Sequence, residues 1–228
     1  MTASTNRPAV TVAYAQTLDG RLATATGSSR WISGPESLRF AHELRATHDA
    51  IMVGVGTVRQ DDPCLTVRLV AGRDPLRVVV DSTLRVPPTA AVLADGAASS
   101  TLFATTPTAP ADRRAILESL GATVLVLPAD PTGRVDLVAL LAALWTRGIG
   151  SLLVEGGAEL ITALLRARRV DRLAVTIAPK ILGAGIEAVG DLAIRDLNRA
   201  LALTDVHMIP YGADLVLDGH VTYPDLSI

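Results

Sequence analysis

Cysteine is nearly missing from this chain: Cys64 stands alone among 228 residues. A single thiol makes no internal disulfide, and the four histidines are scattered without metal-ligand spacing, so no structural metal is expected. An excess of one charge is missing too, with 21 basic and 23 acidic residues and a formal net charge of −2. That balance leaves no electrostatic footprint for nucleic acid or an anionic membrane. Long apolar runs are absent: the longest, "LVALLAALW" (Leu137 to Trp145), falls far short of the roughly 20 residues of a membrane span. The start, "MTASTNRPAV", lacks the apolar core of a secretory signal. The expectation is a cytoplasmic globular protein whose ligands are small molecules. A last absence narrows them. No G-x-G-x-x-G follows the first apolar run, where the long polar loop "QTLDGRLATATGSSRWISGPESL" stands instead, so a Rossmann-type dehydrogenase loses its main support.

What is present is a regular alternation. Runs rich in Val, Ile and Leu lie at 9–15, 50–54, 75–81, 100–105, 122–127, 151–157, 172–179, 201–209 and 213–219. Gly, Pro, Asp or Ser bounds each of them, as strands are bounded. Several are apolar almost throughout, the mark of strands buried on both faces. Helical patterns at about 35–48, 110–119, 135–147 and 157–169 separate them. The alternation predicts an α/β fold with a mostly parallel central sheet and flanking helices. The last three strands lack helical spacers, which predicts an antiparallel C-terminal element. Stretches 90–100 and 183–190 read as surface loops, and residues 1–228 as a single domain.

Some residues do not suit a purely structural role. With Leu38, Ala41, Leu44 and His48 on one side of the first helix, Arg45 falls inside the apolar stripe, while Arg39 and Glu43 lie opposite. Arg45 either snorkels past the core edge or points at an anion. In the extended "LTVR", Thr66 and Arg68 share one side. Two arginines near a glycine turn would make a phosphate clamp. Pro63 keeps Asp62 out of helical geometry, so Asp62 ends a short helical turn from Gly56, and Asp61 is the better ligand contact. Trp31, in a polar loop, is either an anchor or a flat wall for a ring. In "LLVEGGAELITALL" a glycine pair joins a strand to a helix. It is equally a tight turn or a site for a diphosphate at a helix N-terminus. For Lys180, which closes a strand, a structural and a functional role are balanced.

Five motifs in order, "TLDGRLATATGSSRWIS", "LRATHDAIMVGVGTVRQDDPCLTVR", "PLRVVVDSTLRVP", "LLVEGGAELITALL" and "VDRLAVTIAPKILGAG", resemble the pyrimidine reductases of riboflavin biosynthesis. That family shares the dihydrofolate-reductase-like fold. Zinc-deaminase signatures are missing, so the chain looks like the stand-alone, archaeal-type form. One departure is Ala13, where fused bacterial members often carry a lysine on the first strand.

The resemblance implies an NADPH-dependent reduction of a pyrimidine ribosylamine phosphate to its ribitylamine, by a homodimer. It implies substrate contacts at Ser29, Arg45, Leu65, Arg68 and Glu155. It implies cofactor contacts at Trp31, Gly54, Thr57, Asp61 and Ser82, and along Gly156, Gly157, Ala158, Glu159 and Leu160, with Arg85 as partner for a 2′-phosphate. Asp61 and Glu155 are the catalytic candidates: Asp61, or a water it orients, for proton delivery, and Glu155 for holding the pyrimidine or sugar. Two alternatives stay open. One is a dihydrofolate or pterin reductase on the same fold; the other is a non-catalytic paralogue that binds nucleotide.

Overall fold

The apolar runs at 50–54, 76–80 and 101–105 become strands covered on both faces. The computed structural model describes residues 6–94 and 96–224. The chain forms two compact units, one from Met1–Ala9 and Arg45–Leu153, the other from Val10–Leu44 and Val154–Ile228.

In the first unit, β3 (Ala50–Gly54), β4 (Leu76–Val80), β5 (Thr101–Thr105) and β6 (Thr123–Val126) run parallel in that order. Ala50, Ile51, Met52 and Val53 are wholly buried, as are Val78, Val79 and Phe103. Burial on both faces is the reason these strands carry no polar alternation. Helices α2 (Val55–Asp61), α3 (Ala111–Ser119) and α4 (Leu137–Trp145) belong to this unit. Asp136 caps α4 by accepting from the N–H groups of Val138 (2.8 Å) and Ala139 (3.1 Å), which satisfies two donors of the first turn. Leu140, Leu141 and Leu144 then form its buried face.

In the second unit, β1 (Ala9–Thr17) pairs parallel with β8 (Arg172–Ala178). β11 (Asp214–Thr222) adds antiparallel to β8, and β10 (Ala202–Tyr211) antiparallel to β11. Two short strands, β2 (Arg21–Thr24) and β9 (Gly185–Glu187), pair separately. α5 (Ala158–Arg166) buries Leu160, Ile161, Leu164 and Leu165. β7 (Ser151–Val154) carries the chain into this unit.

The α/β class, the predominance of parallel pairing and the antiparallel C-terminal strands match the expectation. Three details differ. The stretch 90–100 holds two turns of 3₁₀ helix (Ala91–Leu93 and Ala97–Ser100), and Ala90, Val92, Leu93 and Ala98 are buried. The stretch 183–190 contains β9. The buried face of α1 (Pro35–Thr47) passes through Ser37, Phe40 and Leu44, with Leu38 only half-buried. Phe40 turns the helix this way: its ring lies 5.1 Å from that of Tyr211 on β10, and an aromatic pair contributes more by contact than Leu38 would alone.

One arginine holds the first unit's longest irregular stretch. Arg77, 4% exposed within β4, donates from Nε to the carbonyl of Cys64 (3.0 Å) and from Nη1 to that of Ala97 (3.1 Å). Asp74 lies 3.7 Å from its Nη2 and also accepts from the Val67 N–H (2.7 Å). Arg77→Ala strips both carbonyls of their donor and leaves a void, at a cost of about 2–4 kcal/mol. For a chain of this size that lowers Tm by roughly 4–16 °C, readable by calorimetry. An unchanged Tm would remove Arg77 from this role.

Candidate active site

Parallel strands whose faces are buried leave only their ends for chemistry, and ligands of open α/β sheets bind beyond the carboxyl ends. Gly54, Ser82 and Glu155 follow the carboxyl ends of β3, β4 and β7, whereas Arg45 belongs to α1, and Leu65 and Arg68 to the stretch whose Cys64 carbonyl is held by Arg77 near the start of β4.

In the first unit β3 ends at Gly54, which is extended (φ −78°, ψ 154°) and leads directly into α2. A Cβ added at Gly54 or Gly56 would meet no atom within 4 Å, so the chain itself leaves both flanks open. Thr57 and Asp61 stand on α2, both half-buried. The helix stops at Asp62, which adopts left-handed geometry (φ 44°, ψ 57°) and whose carboxylate accepts from the Ala91 N–H (2.8 Å). Asp62 is therefore a stop and a clip, as Pro63 foretold.

Beyond it the two odd arginines meet. Arg45, 8% exposed, donates from Nη1 to the carbonyl of Thr66 (3.0 Å), and Arg68 donates to the Thr66 hydroxyl. Arg68 is exposed. Leu65, between Cys64 and Thr66, is buried with φ 54°, so its side chain is core. The structure thus brings Arg45, Leu65 and Arg68 around one threonine.

β4 runs in register with β3, Gly54 opposite Val80, so Asp81 and Ser82 emerge at the same edge. The 82–86 turn is heavily braced. Asp81 is wholly buried and accepts from the Val86 N–H (2.8 Å). Thr105 and Thr106 hydroxyls donate to the Ser82 carbonyl (3.0 and 2.9 Å), the Ser82 hydroxyl accepts from the Val135 N–H (3.1 Å), and Arg113 donates to the carbonyls of Leu84 and Val86. Arg85 sits exposed on that rigid turn.

In the second unit Glu155 follows β7 at once and is half-buried. Gly156 has φ 132°, a conformation that side chains resist. Gly157 is the N-cap of α5 and, as a glycine, brings no side chain of its own to the first turn. A helix N-terminus reached through two glycines suits an anion such as a dinucleotide diphosphate. Ala158 and Glu159 lie in that turn, and Leu160 faces the core. Ser29 and Trp31 come from the polar loop after β2. Trp31 is 69% exposed. Its carbonyl and that of Ile32 accept from Lys180 Nζ (2.7 and 2.8 Å), which places this loop beside the carboxyl ends of β1 and β8.

Sequence reading missed the braces: Arg77, Arg113, Asp214 and Asp19. Asp214 is buried and accepts from the Gly34 N–H and the Ser37 hydroxyl (both 2.7 Å). Asp19 accepts from the Thr17 hydroxyl (2.6 Å) and from the Gly183 (2.7 Å) and Leu182 (3.2 Å) N–H groups. The Thr17 bond first, then that of Gly183, hold its carboxyl down at about 2. "LDG" could have flagged Asp19 as a turn residue; nothing local to the others reveals their distant partners. Among the described residues no group of three or more His, Cys, Asp or Glu side chains is placed to hold a metal, and no helix is long and apolar enough to cross a membrane.

Residues 8–217 match the RibD C-terminal domain family. The chain is 40% identical over 212 residues to the riboflavin biosynthesis protein RibD of Aquifex aeolicus, covering 92% of this chain but 57% of that protein. It is 43% identical over 218 residues to the 2,5-diamino-6-ribosylamino-4(3H)-pyrimidinone 5′-phosphate reductase of Methanothermobacter thermautotrophicus, covering 90% of this chain and 98% of that protein. Acinetobacter baumannii RibD matches with a TM-score of 0.83 at 28% identity, over 96% of this chain and 59% of that one. The chain thus spans somewhat over half the length of these RibD proteins. Enterococcus faecalis dihydrofolate reductase shares the fold alone, at 13% identity and a TM-score of 0.53, over 94% of this chain and 95% of that one. With strands, glycine turns and arginines disposed as described and the match running from residue 8 to residue 217, this protein belongs to the RibD C-terminal domain family.

Proposed function

We propose that the chain is an NADPH-dependent oxidoreductase that converts a phosphoribosylamino-pyrimidine into its ribitylamino form. The substrate is 2,5-diamino-6-ribosylamino-4(3H)-pyrimidinone 5′-phosphate or 5-amino-6-(5-phosphoribosylamino)uracil. The observation that carries this is the meeting of Arg45 and Arg68 at Thr66, directly after α2. Two guanidinium groups on one threonine suit a phosphate better than an apolar ring. The name borne by the Methanothermobacter relative of equal length supports the same substrate class.

The chemistry asks for an electrophilic C1′. When the ribosyl ring opens, the ring oxygen takes a proton and the exocyclic nitrogen gives one up, leaving a C1′=N imine. Bound NADPH supplies the hydride that adds to C1′, and a proton on the nitrogen completes the ribitylamine. Arg45 and Arg68 hold the 5′-phosphate and so fix C1′. Glu155 accepts from the pyrimidine amino groups or sugar hydroxyls. Asp61, or a water it orients, delivers the proton to the opening ring. Gly54 and Thr57 in the first unit and Trp31 in the second are each assigned to the cofactor; the segment Gly156–Leu160 takes the diphosphate; Ser82 takes the adenosine end, with Arg85 as partner for the 2′-phosphate. The assignment includes a homodimer in the cytoplasm. β10 supports the dimer, since Val206, Met208 and Ile209 are exposed along it.

Loss of nicotinamide absorbance with each pyrimidine and with dihydrofolate is the direct test. Turnover of one phosphoribosyl compound is the expected result, and turnover of dihydrofolate alone would overturn it. Arg68→Ala should raise substrate KM about tenfold or more while NADPH Kd stays within about twofold; a parallel loss of both would remove Arg68 from the phosphate. Gly54→Ala adds a methyl group in open space on extended backbone. The fold should therefore keep its Tm or gain a little, by about 0.4–1 kcal/mol, while NADPH binds more weakly. Wild-type NADPH affinity in this variant would place the nicotinamide elsewhere.

A further inference from the structure

Lys180 lies just beyond β8, on a segment anchored before any ligand arrives. Its N–H donates to the Ala178 carbonyl (2.7 Å), and its carbonyl accepts from the Leu18 N–H (2.8 Å). Two residues on, Asp19 holds the Leu182 and Gly183 N–H groups, and Arg21 donates to the Gly183 carbonyl (2.8 Å) while pairing with Glu187 (2.8 Å). From this braced segment the ammonium of Lys180 reaches 2.7 Å from the Trp31 carbonyl and 2.8 Å from the Ile32 carbonyl. Two of its three donors are thereby directed at consecutive peptide groups.

The receiving loop is held at its other end as well. Ile32 N–H donates to the Ser29 carbonyl (3.1 Å), and buried Asp214 takes the Gly34 N–H and the Ser37 hydroxyl. Between these points stands Trp31, whose ring is 69% exposed. A ring so exposed is oriented mainly by its backbone, and Lys180 grips that backbone at the residue itself and at the next one. An exposed lysine is ordinarily hydrated and mobile, since its rotamer freedom costs up to about 2 kcal/mol to remove. Two short charge-assisted bonds offset that cost.

We propose that Lys180 is a positioning residue for the reduction, holding Ser29 and Trp31 at the place where they meet substrate and nicotinamide. It acts on peptide carbonyls and not on the ligand. The inference rests on the roles proposed above for Ser29 and Trp31.

The test separates the grip from the function. In a Trp145→Phe background Trp31 is the sole tryptophan, so its emission and acrylamide quenching report the loop in cofactor-free protein. Lys180→Met keeps the stem and removes the donors; Lys180→Arg restores donors; Lys180→Gln, with a single amide donor group, stands in if circular dichroism shows the Met variant unfolded. The expected result is a shifted Trp31 emission, faster quenching and an NADPH Kd raised about tenfold, all largely recovered by Lys180→Arg. Unchanged Trp31 quenching in Lys180→Met overturns the proposal. So does a raised Kd with unchanged quenching, which marks Lys180 as a direct ligand contact. Should the parent protein fail to bind NADPH at all, the cofactor assignment falls and the positioning role falls with it; the quenching data then show that the fault lies with the assignment and not with the grip.

Discussion

A strand covered on both faces has nowhere to put a functional side chain except past its own end. β3 makes the point: four consecutive residues, Ala50 to Val53, are completely buried, and the first residues free to face anything are Gly54 and those of α2. The same holds for β4, whose burial delivers Asp81 and Ser82 to that edge; β1 and β8, less fully covered, run parallel and open into the loops of Asp19 and Lys180. Burial of the strands on both faces therefore dictates where chemistry can occur. It also explains why the candidate residues are spread so widely along the chain, since each parallel strand contributes one short segment.

Segments that leave a sheet need something to hold them, and here cations do much of that holding by binding peptide carbonyls. Arg77 takes Cys64 and Ala97, Arg113 takes Leu84 and Val86, Arg45 takes Thr66, and Lys180 takes Trp31 and Ile32. A charged donor to a neutral carbonyl makes a strong bond without requiring a carboxylate nearby. It leaves the acidic groups for N–H donors, as Asp19, Asp81 and Asp214 show.

The strands and the long helices were legible because apolar runs and turn residues are local signals. β2 and β9 were not: "RLAT" and "GIE" are short and carry charge, and their pairing is with each other across more than 160 residues of chain. The small residues of 90–100 resembled loop composition, yet Ala90 and Ala98 are small so that the turns can bury. Periodicity placed Arg45 correctly in an apolar stripe but centred that stripe on Leu38, since the partner that decides the phase, Tyr211, lies on a distant strand. Of the candidate site, Arg45, Arg68 and the glycine turns could be noticed as misfits. The roles of Arg77 and Asp214 could not, because an arginine in "PLRVVVD" reads as a strand-edge residue until its partners are seen.

The pairing of β1 with β8 sets Thr11 beside Arg172, and the second unit is assembled from two stretches far apart in sequence, one beginning at Val10 and the other at Val154. A ribosome releases residue 11 long before residue 172. During synthesis the first strand therefore waits, apolar and without its neighbour, while the continuous 45–153 stretch has all of its parallel strands available to condense first. The order of assembly is written in the connectivity: the 45–153 stretch matures early, and the loop bearing Trp31 acquires its anchor only once Lys180, 149 residues further along, has been made.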